Sequence, residues 1–347
     1  MASSTLQLSE QSQALVALGR GILAVDETPG TLTSRFQTLG ITSTPDSRRD
    51  YRELLFRTPG LSGFITGVIL NDETLRQQAA DGTPMAALVA QCGLVPGIKV
   101  DRGLQPLAGA PGESVTEGLD GLRTRLQEYR DLGARFTKWR AVFTVDDRLP
   151  TTACIEANAH ALARYAALVQ EAGMVPMVES EVLMDGGHSI DRCQAVTEAV
   201  LRAVFAQLAA QGVHLEAMVL KPNMVVSGLA ATDRAGNLEV AQRTLASLRR
   251  TVPAAVPGVA FLSGGQADAE ASLNLNTINQ LGVASGAPWQ LSFSFARALQ
   301  RAPMAAWAGR PENVVQAQQA LWQRASVTHA ARTGAYAPPA DAAGGRR

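Results

Sequence analysis

Apolar runs of four to eight residues, bounded mostly by glycine or proline, recur along the whole chain. They are GILAVD (21–26), GFITGVIL (63–70), GIKVD (97–101), RFTKWR (135–140), MVPMVES (174–180), AMVLKP (217–222), GVAFLSGG (258–265) and WQLSFSF (289–295). Short runs with so few polar interruptions predict strands buried on both faces. Between them the apolar positions switch to helical spacing over 46–57, 84–92, 118–132, 152–172, 191–211, 238–251 and 266–281. A further helix is expected over 311–333 and a short one ahead of the first strand. Thr151 and Asp191 stand where helix N-caps belong, and Gly133 and Gly173 where helices stop. Strands alternating with helices imply parallel strands joined by right-handed crossovers, and eight of them imply a closed (β/α)8 TIM barrel. No linker rich in Pro, Gly or Ser interrupts the rhythm. Residues 1–333 are therefore expected to form a single barrel domain, and residues 334–347, small and polar, a short flexible C-terminal tail.

Charge narrows the partners. Lys plus Arg number 31 and Asp plus Glu also 31, with no block of like sign, which argues against nucleic acid or an anionic membrane as a partner. The N-terminus lacks a basic region, a long apolar stretch and a cleavage site, and no segment approaches the roughly 18 apolar residues of a membrane span, so a cytoplasmic protein is expected. Three cysteines (Cys92, Cys154, Cys193) lie far apart and suit reduced thiols. Four scattered histidines offer no metal-ligand spacing, so neither a metal nor another cofactor is expected.

If the fold is a barrel, chemistry belongs at the C-terminal ends of its strands. Charge collects there: Asp26 and Glu27 after the first strand, Lys99 and Asp101 on the third, Lys138 and Arg140 on the fourth, Glu179 and Glu181 on the fifth, Lys221 on the sixth. Residues two apart on a strand share a face, so each pair points one way. Either these side chains form a structural ion-pair network, or they form an active site. Lys221 sharpens the choice, because an ammonium at the end of a buried strand is costly. Burial beside Met218, Val219 and Leu220, with repulsion from Lys138 and Lys99, favours the neutral amine that can attack a carbonyl.

The last two strands add anion chemistry. FLSGGQ runs a strand into Ser263-Gly264-Gly265 ahead of a helix, where backbone N–H groups suit phosphate, although a tight turn alone would use the same residues. Arg297 follows the eighth strand and can pair with the same anion. A second candidate is DETPGTLTSR (26–35), with Thr28, Thr31, Ser34 and Arg35, for which an ordinary helix cap is the competing reading. A lysine between two phosphate sites suggests a phosphorylated keto-sugar and covalent amine catalysis.

GILAVDE, GIKVDRGLQPLAG, GLDGL, FTKWR, VESEVLMDGGH, LKPNM, RRTVP, FLSGGQ and SFSFARAL occur in one order along nearly the whole chain. In this the chain resembles class I (Schiff-base) fructose-1,6-bisphosphate aldolase. The resemblance implies reversible, metal-independent cleavage of fructose 1,6-bisphosphate to dihydroxyacetone phosphate and glyceraldehyde 3-phosphate. It implies Lys221 as the Schiff-base lysine, Glu179 as acid/base, Glu181 as the glutamate that orders the lysines, Asp26 as the group acting on the C4 hydroxyl, and Lys138 as an aid to carbinolamine formation. Lys99 and Arg140 would line the site, Ser263, Gly264 and Arg297 would hold the dihydroxyacetone-phosphate end, and Arg35 and Thr31 would face the other phosphate. A homotetramer is also implied. The chain departs from the family in Ser34-Arg35 for Lys-Arg, in Phe295-Ala296 for Tyr-Gly, and in an end at Gly-Gly-Arg-Arg where eukaryotic members carry a tyrosine; Tyr336 is the nearest. The competing readings are a related aldolase preferring another sugar phosphate, such as sedoheptulose 1,7-bisphosphate, and a non-catalytic scaffold barrel.

Overall fold

The computed structural model describes residues 2–337; the tail expected over 334–347 lies outside the described residues from 338 onward. The strands are β1 (Gly21–Ala24), β2 (Ile65–Leu70), β3 (Val95–Lys99), β4 (Leu104–Pro106), β5 (Ser114–Thr116), β6 (Phe136–Phe143), β7 (Val175–Val182), β8 (Val219–Pro222), β9 (Gly258–Phe261) and β10 (Gln290–Phe295). Eight of them close a parallel barrel in the order β1-β10-β9-β8-β7-β6-β3-β2. Each overlaps one of the eight apolar runs. The additional pair, β4 and β5, is an antiparallel hairpin inserted after β3.

Alternation sorts the strand residues into two environments. Ile22, Ala24, Ile69, Phe136, Val175, Met177, Val219 and Ala260 fill the barrel, and Leu8, Leu15 and Val16 from the helix Ala2–Leu15 and its end join them from the N-terminal side. That helix is tied down where Ser12 Oγ donates to Glu216 O at 2.7 Å and Thr66 Oγ1 donates to Leu15 O at 2.6 Å. Intervening residues such as Val68, Ile98, Trp139, Val178, Leu220 and Phe261 pack outward against the helices. Trp139 lies 5.5 Å from the Tyr165 ring, whose hydroxyl meets Thr137 Oγ1 at 2.7 Å. Phe136, Lys138 and Arg140 therefore belong to the inward set, and Thr137 and Trp139 to the outward one.

Phe136 has room because β3 carries a glycine beside it. A Cβ on Gly97 would lie 2.3–2.6 Å from the Phe136 ring. We expect Gly97→Ala to destabilise the barrel by about 1–3 kcal/mol through overpacking, read as a lower urea midpoint at unchanged m-value.

The helices form near the expected positions, with local differences. The helix Ile190–Ala210 is capped by Ser189, whose Oγ accepts from Arg192 N at 3.2 Å, so Asp191 sits inside its first turn and favours the helix dipole instead. Thr151 caps Thr152–Glu171 as expected. Gly133 and Gly173 follow the C-caps of their helices in the left-handed region. Helices at Pro29–Gln37, Asp72–Arg76 and Arg297–Trp307 were not among the expected elements.

Candidate active site

All twelve candidate residues line one cavity of about 460 Å³ at the C-terminal ends of the barrel strands: Lys221, Glu179, Asp26, Lys138, Glu181, Lys99, Arg140, Ser263, Gly264, Arg297, Arg35 and Thr31. Strand register brings the charges into layers. Lys99 stands opposite Lys138, while Glu179 of β7 stands opposite Arg140 on one side and Lys221 on the other. A single carboxylate is thereby placed between two lysines. Glu179 Oε1 lies 3.0 Å from Lys221 Nζ and Glu179 Oε2 lies 2.8 Å from Lys138 Nζ. Lys138 Nζ also reaches Asp26 Oδ2 at 2.8 Å. The contact at Glu179 Oε2 is ionic, without the angles of a good hydrogen bond. At the next level Arg140 Nε meets Glu181 Oε2 at 2.5 Å, and the Arg140 backbone N–H donates to Asp101 Oδ2 at 3.2 Å.

Lys138 and Lys221 are each 3 % exposed and Glu179 4 %. Burial is the largest single influence on Asp26, Glu179, Lys138 and Arg140 and opposes the charge of each. Mutual attraction outweighs it. Lys138, Lys221 and Lys99 hold the Asp26 carboxyl well below the usual carboxylate range. Lys138, Lys221 and Arg140 lower Glu179 against burial and the repulsion of Asp26. Asp26, Glu179 and Asp101 in turn hold Lys138 far above an ordinary lysine. The Glu181 and Glu179 carboxylates do the same for Arg140. At neutral pH Asp26 and Glu179 are ionised and Lys138 is charged. Of the apolar residues next to Lys221 in sequence, Val219 shares its inward face, while Met218 and Leu220 pack outward.

Thr31 and Arg35 come from the helix Pro29–Gln37, whose N-cap is Thr28: its Oγ1 accepts from Thr31 N at 3.2 Å and Pro29 follows at once. Thr28 and Thr31 make the cap and also line the cavity, so the helix-cap reading of DETPGTLTSR is the observed one and does not exclude a ligand there. Phe36 anchors this helix against Tyr51 and Trp307, with ring centroids 5.7 Å from each. Arg35 pairs with Glu27, whose other carboxylate oxygen takes Arg52 Nη2 at 2.9 Å, and Gln300 Nε2 donates to the same carboxylate at 2.7 Å. Asp26 and Glu27 thus split their work: one faces the lysines and the other ties the first loop to three helices.

After β9, two strands round the barrel from β1, Ser263-Gly264-Gly265 forms a turn in which Gly264 adopts φ +55°, open to glycine at little cost. The helix after it begins at Asp268, not 266, and carries Asp268 and Glu270 in its first turn. The helix start that meets the cavity is that of Arg297–Trp307, through Ala296 and Arg297. Arg297 is held below the usual arginine value by burial and then by Arg35, against the attraction of Glu181 and with smaller repulsion from Arg301 and Arg140. Arg35, after β1, and Arg297, after the neighbouring β10, both line the cavity and put cationic surface there for an anionic end of a ligand.

Sequence reasoning passed over Gly103, Leu104 and Ser294 as lining residues. Gly103 and Leu104 arrive on the hairpin, whose three-residue strands have no apolar alternation to reveal them. Tyr336 is half-buried, with its N–H donating to Asn276 Oδ1 at 2.9 Å, and is not among the cavity residues.

The family model for glycolytic fructose-bisphosphate aldolase class-I matches residues 7–346. The chain is 53 % identical over 331 residues to the probable fructose-bisphosphate aldolase class 1 of Xanthomonas campestris pv. campestris, covering 95 % of this chain and 98 % of that one. It is 48 % identical over 333 residues to the non-muscle fructose-bisphosphate aldolase of Lethenteron camtschaticum, covering 96 % and 91 %. Among solved structures it superposes with a TM-score of 0.95 and 46 % identity on fructose-bisphosphate aldolase from Plasmodium falciparum, in complex with TRAP and a small molecule inhibitor, covering 98 % and 97 %.

Proposed function

The chain belongs to the class I fructose-bisphosphate aldolase family, and from that premise we propose how its own side chains carry the reaction. The enzyme cleaves fructose 1,6-bisphosphate reversibly to two triose phosphates. Lys221 is the nucleophile at the C2 ketone. The observation that carries this reading is the Lys221–Glu179–Lys138 arrangement, in which one carboxylate touches both ammonium groups in a buried cavity.

A single proton transfer then prepares two groups. When Lys221 gives its proton to Glu179 across 3.0 Å, the amine becomes nucleophilic and the carboxyl becomes an acid. The transfer also removes the Lys221 charge, one of the influences that lowered Glu179. The amine attacks C2, one of its protons passes to the ketone oxygen to give the carbinolamine, and Glu179 returns its proton to that hydroxyl, which leaves as water and gives an iminium. Asp26, ionised and fixed by Lys138, accepts the C4 hydroxyl proton as the C3–C4 bond breaks and its electron pair moves into the iminium. Lys138 stays charged throughout and stabilises the developing negative oxygen. Ser263, Gly264 and Arg297 hold one phosphate and Arg35 with Thr31 the other, while Lys99 and Arg140 line the space between them. Glu181 fixes Arg140.

The iminium is the electron sink in this scheme, so cleavage of fructose 1,6-bisphosphate is expected to continue in a strong chelator. Loss of activity there would sink the mechanism. Comparing kcat/KM for fructose 1,6-bisphosphate and sedoheptulose 1,7-bisphosphate in the same assay reads the substrate preference. The reading extends to a cytoplasmic homotetramer on family resemblance, and light scattering of the purified chain tests the assembly.

A further inference from the structure

The anion turn presents one of its peptides backwards. The Gly264 carbonyl oxygen accepts from the Arg297 guanidinium, and both residues line the cavity. A carbonyl oxygen facing a phosphate oxygen repels it. In a planar trans peptide the N–H points opposite to the C=O, and the Gly265 N–H accordingly points to Met184 Sδ, 2.8 Å away. Met184 is buried just beyond the end of β7, and its own carbonyl accepts from Leu229 N at 2.7 Å, which ties it to the loop after β8.

The ends of the turn are pinned independently of that peptide. The Gln266 backbone N–H and its Nε2 both donate to Ser263 O at 3.1 Å, and Gln266 Oε1 accepts from Asn274 Nδ2 at 2.7 Å. None of these bonds uses the Gly264–Gly265 peptide. Glycine on both sides of it leaves rotation unhindered by any Cβ.

We propose that Met184 is a positioning residue of the phosphate site. Its thioether holds the Gly264–Gly265 peptide with the carbonyl toward Arg297. Phosphate reverses the peptide, bringing the Gly265 N–H to the anion and freeing Arg297 from the Gly264 carbonyl. The proposal rests on the reading of Ser263, Gly264 and Arg297 as the phosphate pocket. A thioether is a weak acceptor and a phosphate oxygen a strong one, so the exchange favours the bound state. A stronger acceptor at position 184 retains the N–H, and a side chain with no acceptor releases it.

Met184→Gln and Met184→Leu keep nearly the same volume and should act in opposite directions. With one hydrogen bond gained or lost, the Kd for inorganic phosphate by calorimetry should rise about threefold for Met184→Gln and fall about threefold for Met184→Leu. KM for the bisphosphate follows Kd while kcat stays within about twofold, since uniform binding is what changes. Shifts of the same sign, or none, overturn the proposal when Arg297→Ala still loses phosphate binding. If Arg297→Ala leaves phosphate affinity unchanged, the pocket reading falls and this proposal with it.

Discussion

Lys221→Met is expected to abolish the covalent adduct that borohydride traps with dihydroxyacetone phosphate, and to lower kcat/KM by about 10⁴- to 10⁶-fold, the scale on which removal of a covalent nucleophile is felt. Methionine keeps the length and the apolar stem of lysine, so the side chain can still lie along Val219 inside the barrel. What it loses is the amine 3.0 Å from Glu179. No neighbouring lysine can take over. Lys138 is held charged by burial-resistant contacts with Asp26 and Glu179, and a charged ammonium has no lone pair to offer. Peptide mapping of the wild-type adduct should place it on residue 221. An adduct on Lys138 or Lys99, or a variant that retains turnover, overturns the assignment.

Stability should change little in that variant, because Glu179 keeps its contact with Lys138. The loss of activity is then separable from loss of fold by a thermal melt. An idle scaffold barrel would show the reverse pattern, with no adduct in either protein.

The barrel strands were legible because each is buried on both faces and so reads as a short apolar block, a pattern that survives without knowledge of its partners. The charges at their ends were legible for the opposite reason, since Lys138, Glu179 and Lys221 interrupt such blocks at the same end. Their mutual distances were not. That Glu179 stands between Arg140 and Lys221 depends on the register of β6, β7 and β8, which arises only when the barrel closes. The hairpin β4–β5 escaped notice because its strands are short, one ends in Pro106, and all three residues of β4 are exposed. The helix Arg297–Trp307 contains Pro303, which normally marks a helix boundary. Arg52 was hidden for another reason. In YRELLF it resembles any solvated arginine, yet it is buried and holds Glu27 at 2.9 Å. A buried ion pair across distant segments leaves no local mark.

Glu179→Gln is expected to be nearly as damaging to turnover as loss of Lys221, and more damaging to the fold. Glutamine fills the same space but cannot accept a proton from Lys221, so neither the neutral amine nor the acid for dehydration is produced in the step that makes both. General acid–base catalysis alone is worth about 10²- to 10⁴-fold, and the missing deprotonation compounds it. Single-turnover mixing should show slow formation of the iminium, not slow C3–C4 cleavage; normal iminium formation would assign the proton transfer elsewhere. The fold suffers because Lys138 and Lys221 lose the carboxylate between them, and breaking a buried pair commonly costs about 3–5 kcal/mol. Acid unfolding reports on the same charges. Glu179 and Asp26 are both lower in the folded protein than in the unfolded chain. Their contribution is therefore complete above the unfolded carboxylate range, about pH 4, and is lost as pH falls below it toward the folded values. Stability of the wild type should drop over that window, and Glu179→Gln, already without its share, should drop less steeply. Equal slopes in the two proteins would mean that Glu179 is not charged in the native site, and the proton-transfer scheme would fall with it.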